Sequence, residues 1–288
     1  MTPSTIRIAH SPDADDAFMH YAVVTGKVPT GGLTFEEVLA DIETLNQQAR
    51  EGQFEVTAVS LHAFAYLGEA YALLNSGASL GDGYGPVLVA RRPMTREQLA
   101  GVQVATPGRL TSARLALQLW QPEARCLDMP FDVIMDAVRR GEVEAGLLIH
   151  EGQLTYADEG LVKVADLGEW WTAETGTPLP LGGNAIRRDL GPDLMRRVAG
   201  VLESSIRWAL AHREAALAHA LSFGRGLDAG KGDRFVGMYV NAATLDYGER
   251  GRRGVELFYE RAHAAGLIPA PPRLDFVRGW PPGSEGPS

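Results

Sequence analysis

The sequence predicts an α/β protein with mostly parallel sheets, built as two lobes with the second inserted into the first. Three observations carry this. Short apolar, β-rich segments alternate with helix-like segments from Ile6 to Ile186, the pattern of strands joined by crossover helices. Helical segments then return and fill the last third. The chain of 288 residues is also long enough for about two domains at roughly 150 residues each.

Ile6–His10 reads as a strand. Ser11-Pro12-Asp13-Ala14-Asp15-Asp16 follows, rich in helix-start residues, and leads into an apolar helix from Ala17 to Val24 that Gly26 stops. Leu33–Val38 is a second strand. Asp41 opens a polar helix that ends near Gly52, and Phe54–Ser60 is β-rich. A glycine-rich turn from Gly77 to Gly85 precedes the strand Pro86–Ala90. The second lobe then begins. Val102–Ala105 is a strand, and Thr106-Pro107-Gly108-Arg109 turns into a helix from Leu110 to Trp120. Phe131, Ile134, Met135 and Val138 fall on one helical stripe, which Gly141 ends. Val143–Ile149 is a buried strand running into His150, and Leu161–Val164 is another. Leu181–Ile186 returns the chain, and helices follow over Asp193–Leu210, His212–Phe223, Asp233–Tyr239 and Glu249–Gly266. The expected division is a larger lobe of residues 1–92 and 186–288, an inserted lobe of 93–185, and a mobile tail over about 270–288.

Composition excludes several function classes. With 45% hydrophobic and 22% charged residues the chain can bury a core, so it is not disordered. Its longest apolar runs fall far short of the about 20 residues a bilayer span needs, so no membrane insertion is expected. The net charge of −9 and the lack of a basic block argue against a nucleic-acid partner. The single cysteine, Cys126, allows neither an internal disulfide nor a cysteine-cluster metal site. No export signal is visible, so the expected location is cytoplasmic.

Familiar catalytic signatures are missing. Gly81-Asp82-Gly83-Tyr84-Gly85 leads into a strand rather than a helix. Gly230-Lys231-Gly232 lacks the phosphate-loop spacing, and His150-Glu151 has no second histidine at helical spacing. No metal or cofactor is therefore expected. What remains are polar residues at strand ends, where α/β folds bind ligands. In the Ser11–Asp16 segment, helix capping accounts for at least two of the three aspartates. Asp16, next to a strongly apolar stretch, is the candidate acid, base or orienting group, with Ser11 beside it. The turn carrying Gly108, Arg109, Thr111 and Ser112 could offer free N–H groups to a carboxylate, though an ordinary capped helix is the commoner case. Ser60 ends a strand and by itself means only a cap. His150 ends an apolar strand, and histidine is the usual general base near neutral pH. The remaining histidines, His10 and His20 among them, read as structural or surface groups. Trp170-Trp171 suits either ligand stacking or packing, and Cys126 reads as a core residue.

Several segments together resemble the 1,4-dihydroxy-6-naphthoate synthase family of the futalosine route to menaquinone. They are Ser11-Pro12 with Asp16 and Phe18, Asp41-x-Glu43-Thr44-Leu45-Asn46, Pro107-Gly108-Arg109-x-Thr111, the run from Gly141 to Ile149-His150-Glu151, Asp166-Leu167-Gly168-x-Trp170-Trp171, and Pro178-Leu179-Pro180-Leu181-Gly182. The likeness runs in order from about residue 6 to about 265. It implies a periplasmic-binding-protein-like (type II) fold with the site in the cleft between the lobes. It implies conversion of cyclic dehypoxanthine futalosine to 1,4-dihydroxy-6-naphthoate without a cofactor. His150 would be the general base, starting carbon–carbon cleavage, and Asp16 would orient it or handle a second proton. Asn46, Ser60, Thr111 and Ser112 would hold the polar groups of a small anionic substrate. The sequence leaves a homodimer open. Asp13 and Asp15 depart from the Cys and Asn that many members carry. The rivals are a small-molecule binding or sensor protein of the same fold and the related chorismate dehydratase.

Overall fold

The computed structural model describes residues 5–223 and 228–280. In chain order the elements are β1 (Thr5–His10), α1 (Ala14–Val24), β2 (Thr34–Leu39), α2 (Ile42–Arg50), β3 (Val56–Ser60), α3 (Leu61–Phe64), β4 (Tyr71–Leu74), β5 (Ser79–Gly81) and β6 (Val87–Ala90). Then come β7 (Gln103–Thr106), α4 (Ser112–Trp120), β8 (Arg125–Asp128), α5 (Phe131–Arg140), β9 (Ala145–Leu148), α6 (Gly152–Thr155), β10 (Val162–Asp166), α7 (Leu167–Thr175) and β11 (Leu179–Arg187). The last part holds α8 (Pro192–Ala211), α9 (Arg213–Ala220), α10 (Ala229–Tyr239), α11 (Ala242–Leu245), α12 (Gly248–Ala264) and β12 (Phe276–Val277).

These elements form two compact units. The first falls within Met1–Ser79, Gly182–Gly248 and Pro272–Ser288, the second within Leu80–Leu181 and Glu249–Pro271. The division therefore differs from the expected cuts at 93 and 185. β6 lies inside the sheet of the second unit, paired with β9 and β10. α12 belongs there too, because its residues pack on α7. The buried Trp171 indole meets Phe258 edge-on at 5.5 Å, and Arg261 lies over the Trp171 ring.

In the first unit the sheet order is β12-β4-β11-β3-β1-β2. β1 runs parallel to β2 and β3, while β11 runs antiparallel to β3 and β4. Ile6, Ile8 and Val56 pack with Val23 of α1 and with Leu194, Val198 and Leu202 of α8. Ala9 and Ala58 pack with Leu45 of α2. Each fully buried aliphatic of this kind contributes roughly 1.5–3 kcal/mol relative to exposure. In the second unit the order is β10-β6-β9-β7-β8, with β7 parallel to β8 and β9, and β6 antiparallel to β9 and β10. Ile134 and Val138 of the expected α5 stripe pack on this sheet, and the αL residue Gly141 ends the helix.

Both sheets are thus mixed rather than mostly parallel. A parallel pair needs a crossover helix between its strands. β6 and β11 are not reached from their sheet neighbours through such a helix, and each runs against those neighbours. Part of the expected tail is paired in a strand. Phe276–Val277 pairs in parallel with β4, because Arg188 binds Asp275 and Tyr247 packs on Phe276. The rest of that expectation, residues 281–288, lies outside the described residues. No helix among the described residues is long and apolar enough to cross a membrane.

Candidate functional site

In the first unit, the parallel register of β1 and β3 (Ile8 opposite Val56, Ala9 opposite Thr57) brings their carboxyl ends side by side. Ser11 follows one strand and Ser60 ends the other. The three aspartates after Ser11 take different roles. Asp13 is the α1 N-cap, its carboxylate accepting the Asp16 N–H at 3.1 Å. Asp16 is half-buried and folds back, its carboxylate accepting the Ser11 N–H at 2.9 Å. Asp15 is buried on α1. The buried Ser11 hydroxyl has no hydrogen-bond partner among the described residues. A buried polar group left so costs about 1–3 kcal/mol, which a ligand's polar group would offset.

Asn46 and Ser60 hold each other. The Asn46 amide donates to Ser60 Oγ at 3.0 Å, and the Ser60 N–H donates to Asn46 Oδ1 at 2.8 Å. Asn46 is fully buried, so its amide serves Ser60. Ser60 stands at the start of α3 but makes no side-chain cap bond.

Against the Ser11–Asp16 turn lies a pair of histidines expected from the sequence to be structural or surface groups. His10, fully buried, has Nδ1 2.9 Å from the Ser11 carbonyl and Nε2 2.9 Å from Glu37 Oε1. The buried His20 ring stacks on it, centroids 4.4 Å apart and 11° from parallel, and its Nδ1 donates to the Asp16 carbonyl at 2.9 Å. Burial, with His10 nearby, pushes the His20 pKa down to about 3. Burial also opposes a charge on His10, but the Glu37 hydrogen bond, Asp16 and the Ser11 carbonyl outweigh it and raise His10 above its ordinary value. The same hydrogen bond holds Glu37 below the usual carboxylate range. The signal available in the sequence was the Asp16–His20 spacing of one helical turn; Glu37 lies 27 residues from His10 and left none.

In the second unit, β7 runs into the turn before α4. Gly108 has φ +137°, a conformation L side chains rarely adopt, so the turn requires glycine there. Thr111 is the α4 N-cap: its hydroxyl accepts the Arg114 N–H at 3.3 Å and donates to the Gly108 carbonyl at 2.9 Å. Ser112 Oγ donates to the Leu181 carbonyl at 2.5 Å. Both hydroxyl protons are therefore used inside the protein, and the Thr111 cap also takes the Arg114 N–H of the first turn. Arg109 is exposed.

His150 follows the buried strand β9. Its φ is +51°, the only positive value of a non-glycine residue among those described. A histidine there is strained, and such strain clusters at functional sites. Its ring meets Phe131 edge-on at 4.9 Å, and its carbonyl accepts the Gln153 N–H at 3.2 Å. Glu151 beside it is buried. Cys126 is half-buried on β8, and burial pushes its thiol pKa up, which suits a core residue rather than a nucleophile. The Trp171 indole N–H donates to Thr177 and to the Pro178 carbonyl, both at 3.1 Å, so this ring packs the second unit.

Comparisons with known proteins give these residues a context. A family model described as menaquinone biosynthesis matches residues 6–264. The 1,4-dihydroxy-6-naphthoate synthase of Thermus thermophilus is 43% identical over 272 residues, covering 94% of this chain and 99% of the relative. The enzyme of the same name from Streptomyces coelicolor is 37% identical over 276 residues, covering 94% and 97%. Among solved structures, protein AF1704 from Archaeoglobus fulgidus is 47% identical with a TM-score of 0.89, covering 93% of this chain and all of that one. The alkanesulfonate-binding protein SsuA from Xanthomonas axonopodis, at 12% identity and TM-score 0.71 over 95% and 96% of the chains, shares the fold alone. The molecule is thus an enzyme built on a periplasmic-binding-protein-like α/β scaffold of two units. It belongs to the menaquinone-biosynthesis family of 1,4-dihydroxy-6-naphthoate synthases and is a lyase.

Proposed function

We propose that the chain converts cyclic dehypoxanthine futalosine to 1,4-dihydroxy-6-naphthoate, with His150 as general base. The observation that carries this is the left-handed backbone of His150 at the end of β9. Strain at one residue persists only where the surroundings impose it, and here it sets the direction of an imidazole, the commonest base near neutral pH. His150 removes a proton from the substrate, the carbon–carbon bond to the sugar-derived fragment breaks, and aromatisation of the remaining rings favours product. Asp16 handles the second proton. The glycine turn at the start of α4 suits the substrate carboxylate. Ser11 and Ser60, the latter held by Asn46, suit its hydroxyls. Arg109 has no role in this reading. The same reading places the enzyme in the cytoplasm, as suits a biosynthetic family, and cell fractionation tests that.

Incubating purified protein with cyclic dehypoxanthine futalosine and following the naphthoate by absorbance and mass is the direct test. Product from the wild type, with ligand binding but no turnover in His150→Ala, is expected. Near-normal turnover in His150→Ala would remove His150 from the role. No product from the wild type would remove the substrate.

A further inference from the structure

The Ser11–Asp16 turn carries the candidate catalytic carboxylate of the first unit, and it rests on a buried stack of two imidazoles that the proposed reaction does not use. His10 is the last residue of β1 and is fully buried. Its two ring nitrogens each face an oxygen at 2.9 Å: the Ser11 carbonyl on one side and the Glu37 carboxylate on the other. A carbonyl only accepts, so Nδ1 carries a proton. An ionised carboxylate also only accepts, so Nε2 carries one as well. The proton shared with Glu37 belongs on the imidazole, the stronger base, because the Glu37 side chain is 27% exposed and keeps solvent for its negative charge. His20 donates to the Asp16 carbonyl, and the face of its ring stacks on the His10 imidazolium, so it is the neutral member. The turn is therefore gripped at two carbonyls, those of Ser11 and Asp16, by two stacked imidazoles. Between them the Ser11 N–H holds the Asp16 carboxylate at 2.9 Å.

We propose that His10 is a positioning residue for Asp16: as an imidazolium braced by Glu37 and stacked on neutral His20, it fixes the Ser11–Asp16 turn and holds the Asp16 carboxyl in its ionised form. The inference rests on the reading of Asp16 as part of the active site, while the proton state of His10 stands independently of it. The titratable groups that face the ring are Glu37 on β2, Asp16 and His20 on α1, and His219 on α9. The upward displacement of His10 and the downward displacement of Glu37 agree with this assignment.

The test uses the intact protein. With 15N-histidine labelling, both His10 ring nitrogens are expected to show protonated imidazolium shifts at pH 7, and His20 a neutral Nδ1–H tautomer. A neutral His10 at pH 7 would overturn the proposal. With 13C-carboxyl aspartate labelling, the Asp16 midpoint is expected to rise by about one unit in His10→Asn, which keeps a donor near Ser11 but loses the charge. Because His10→Asn sits in the core, Glu37→Gln on the half-buried side serves as the second variant. It is expected to lower the pH at which His10 loses its proton and to shift the kcat/KM profile with it. An unmoved Asp16 midpoint in folded His10→Asn, or an unmoved His10 titration in Glu37→Gln, would overturn the proposal. A wild type without turnover but with an imidazolium His10 would instead count against the proposed reaction alone.

Discussion

In the first unit the polar residues at the strand ends hold one another; in the second the backbone holds them. Ser11 binds Asp16, Asn46 binds Ser60 twice, and the His10–His20 stack grips both ends of the first turn. The second unit uses a different device. Gly108 and His150 both occupy positive φ, and the hydroxyls of Thr111 and Ser112 are spent on backbone carbonyls. One unit stabilises its strand ends by paired hydrogen bonds, so breaking it means removing a partner. The other stores strain, so relieving it means changing a backbone preference. Substitutions in the two units should therefore fail in different ways.

The largest expected effect is on chemistry in the second unit. His150→Ala should lower kcat by about 10²–10⁴-fold, the usual contribution of a general base, while melting temperature changes little. Steady-state kinetics beside a thermal melt checks it, and equal losses in both would put His150 among structural residues.

Next comes the buried stack of the first unit, read through pH. A free imidazole titrates near 6.5, while His20 in the fold does so at about 3. Between those values the unfolded chain binds a proton that the fold refuses, so stability falls as pH drops through that window. His10 has the opposite sign: its raised value means stability falls as pH rises above about 6.5. His20→Phe should remove the acid limb, recovering on the order of 3 kcal/mol at about pH 4 relative to wild type. Denaturant unfolding at several pH values measures it, and parallel curves for the two proteins would refute the assignment.

Asn46→Ala leaves the buried Ser60 N–H without its acceptor and should cost about 1–3 kcal/mol of stability. KM should also rise, because Ser60 loses its orientation. A stability loss with unchanged KM would separate Asn46 from substrate binding.

The smallest effect sharpens the contrast. His150→Gly should be about 1 kcal/mol more stable than His150→Ala, because glycine accepts φ +51° and alanine does not. Equal stability would show that the turn relaxes and stores no strain. In the first unit no such gain is expected from glycine at Ser60, whose φ is −67°.

Much of this was legible in the chain. The α1 start, the α5 stripe with Ile134 and Val138, and the strands before Ser11 and His150 follow local rules of capping and period. Ser11, Asp16, Ser60, Thr111 and His150 stood out because they follow apolar strands. Other elements escaped. β4 is a four-residue apolar run with no alternation, and such a run reads equally as helix or strand. α7 carries Trp170-Trp171, which have little helical preference, yet Trp171 is helical because its indole packs on Phe258 and donates to Pro178. The tie between α12 and α7 joins residues more than eighty apart, so local pattern does not show it.

Local pattern by itself determined the α/β class and the strand-end candidates, and the resemblance of several motifs in order pointed to the family. Those depend on neighbours in sequence and on motifs in order. Only the tertiary structure decided which polar groups satisfy each other. It gave Asp13 the cap and Asp16 the Ser11 N–H, spent the Thr111 hydroxyl on Gly108, and set Glu37 against His10. The physical reason is that a buried donor or charge must find a partner wherever the fold brings one, and the 27 residues between His10 and Glu37 are bridged by the register of β1 on β2.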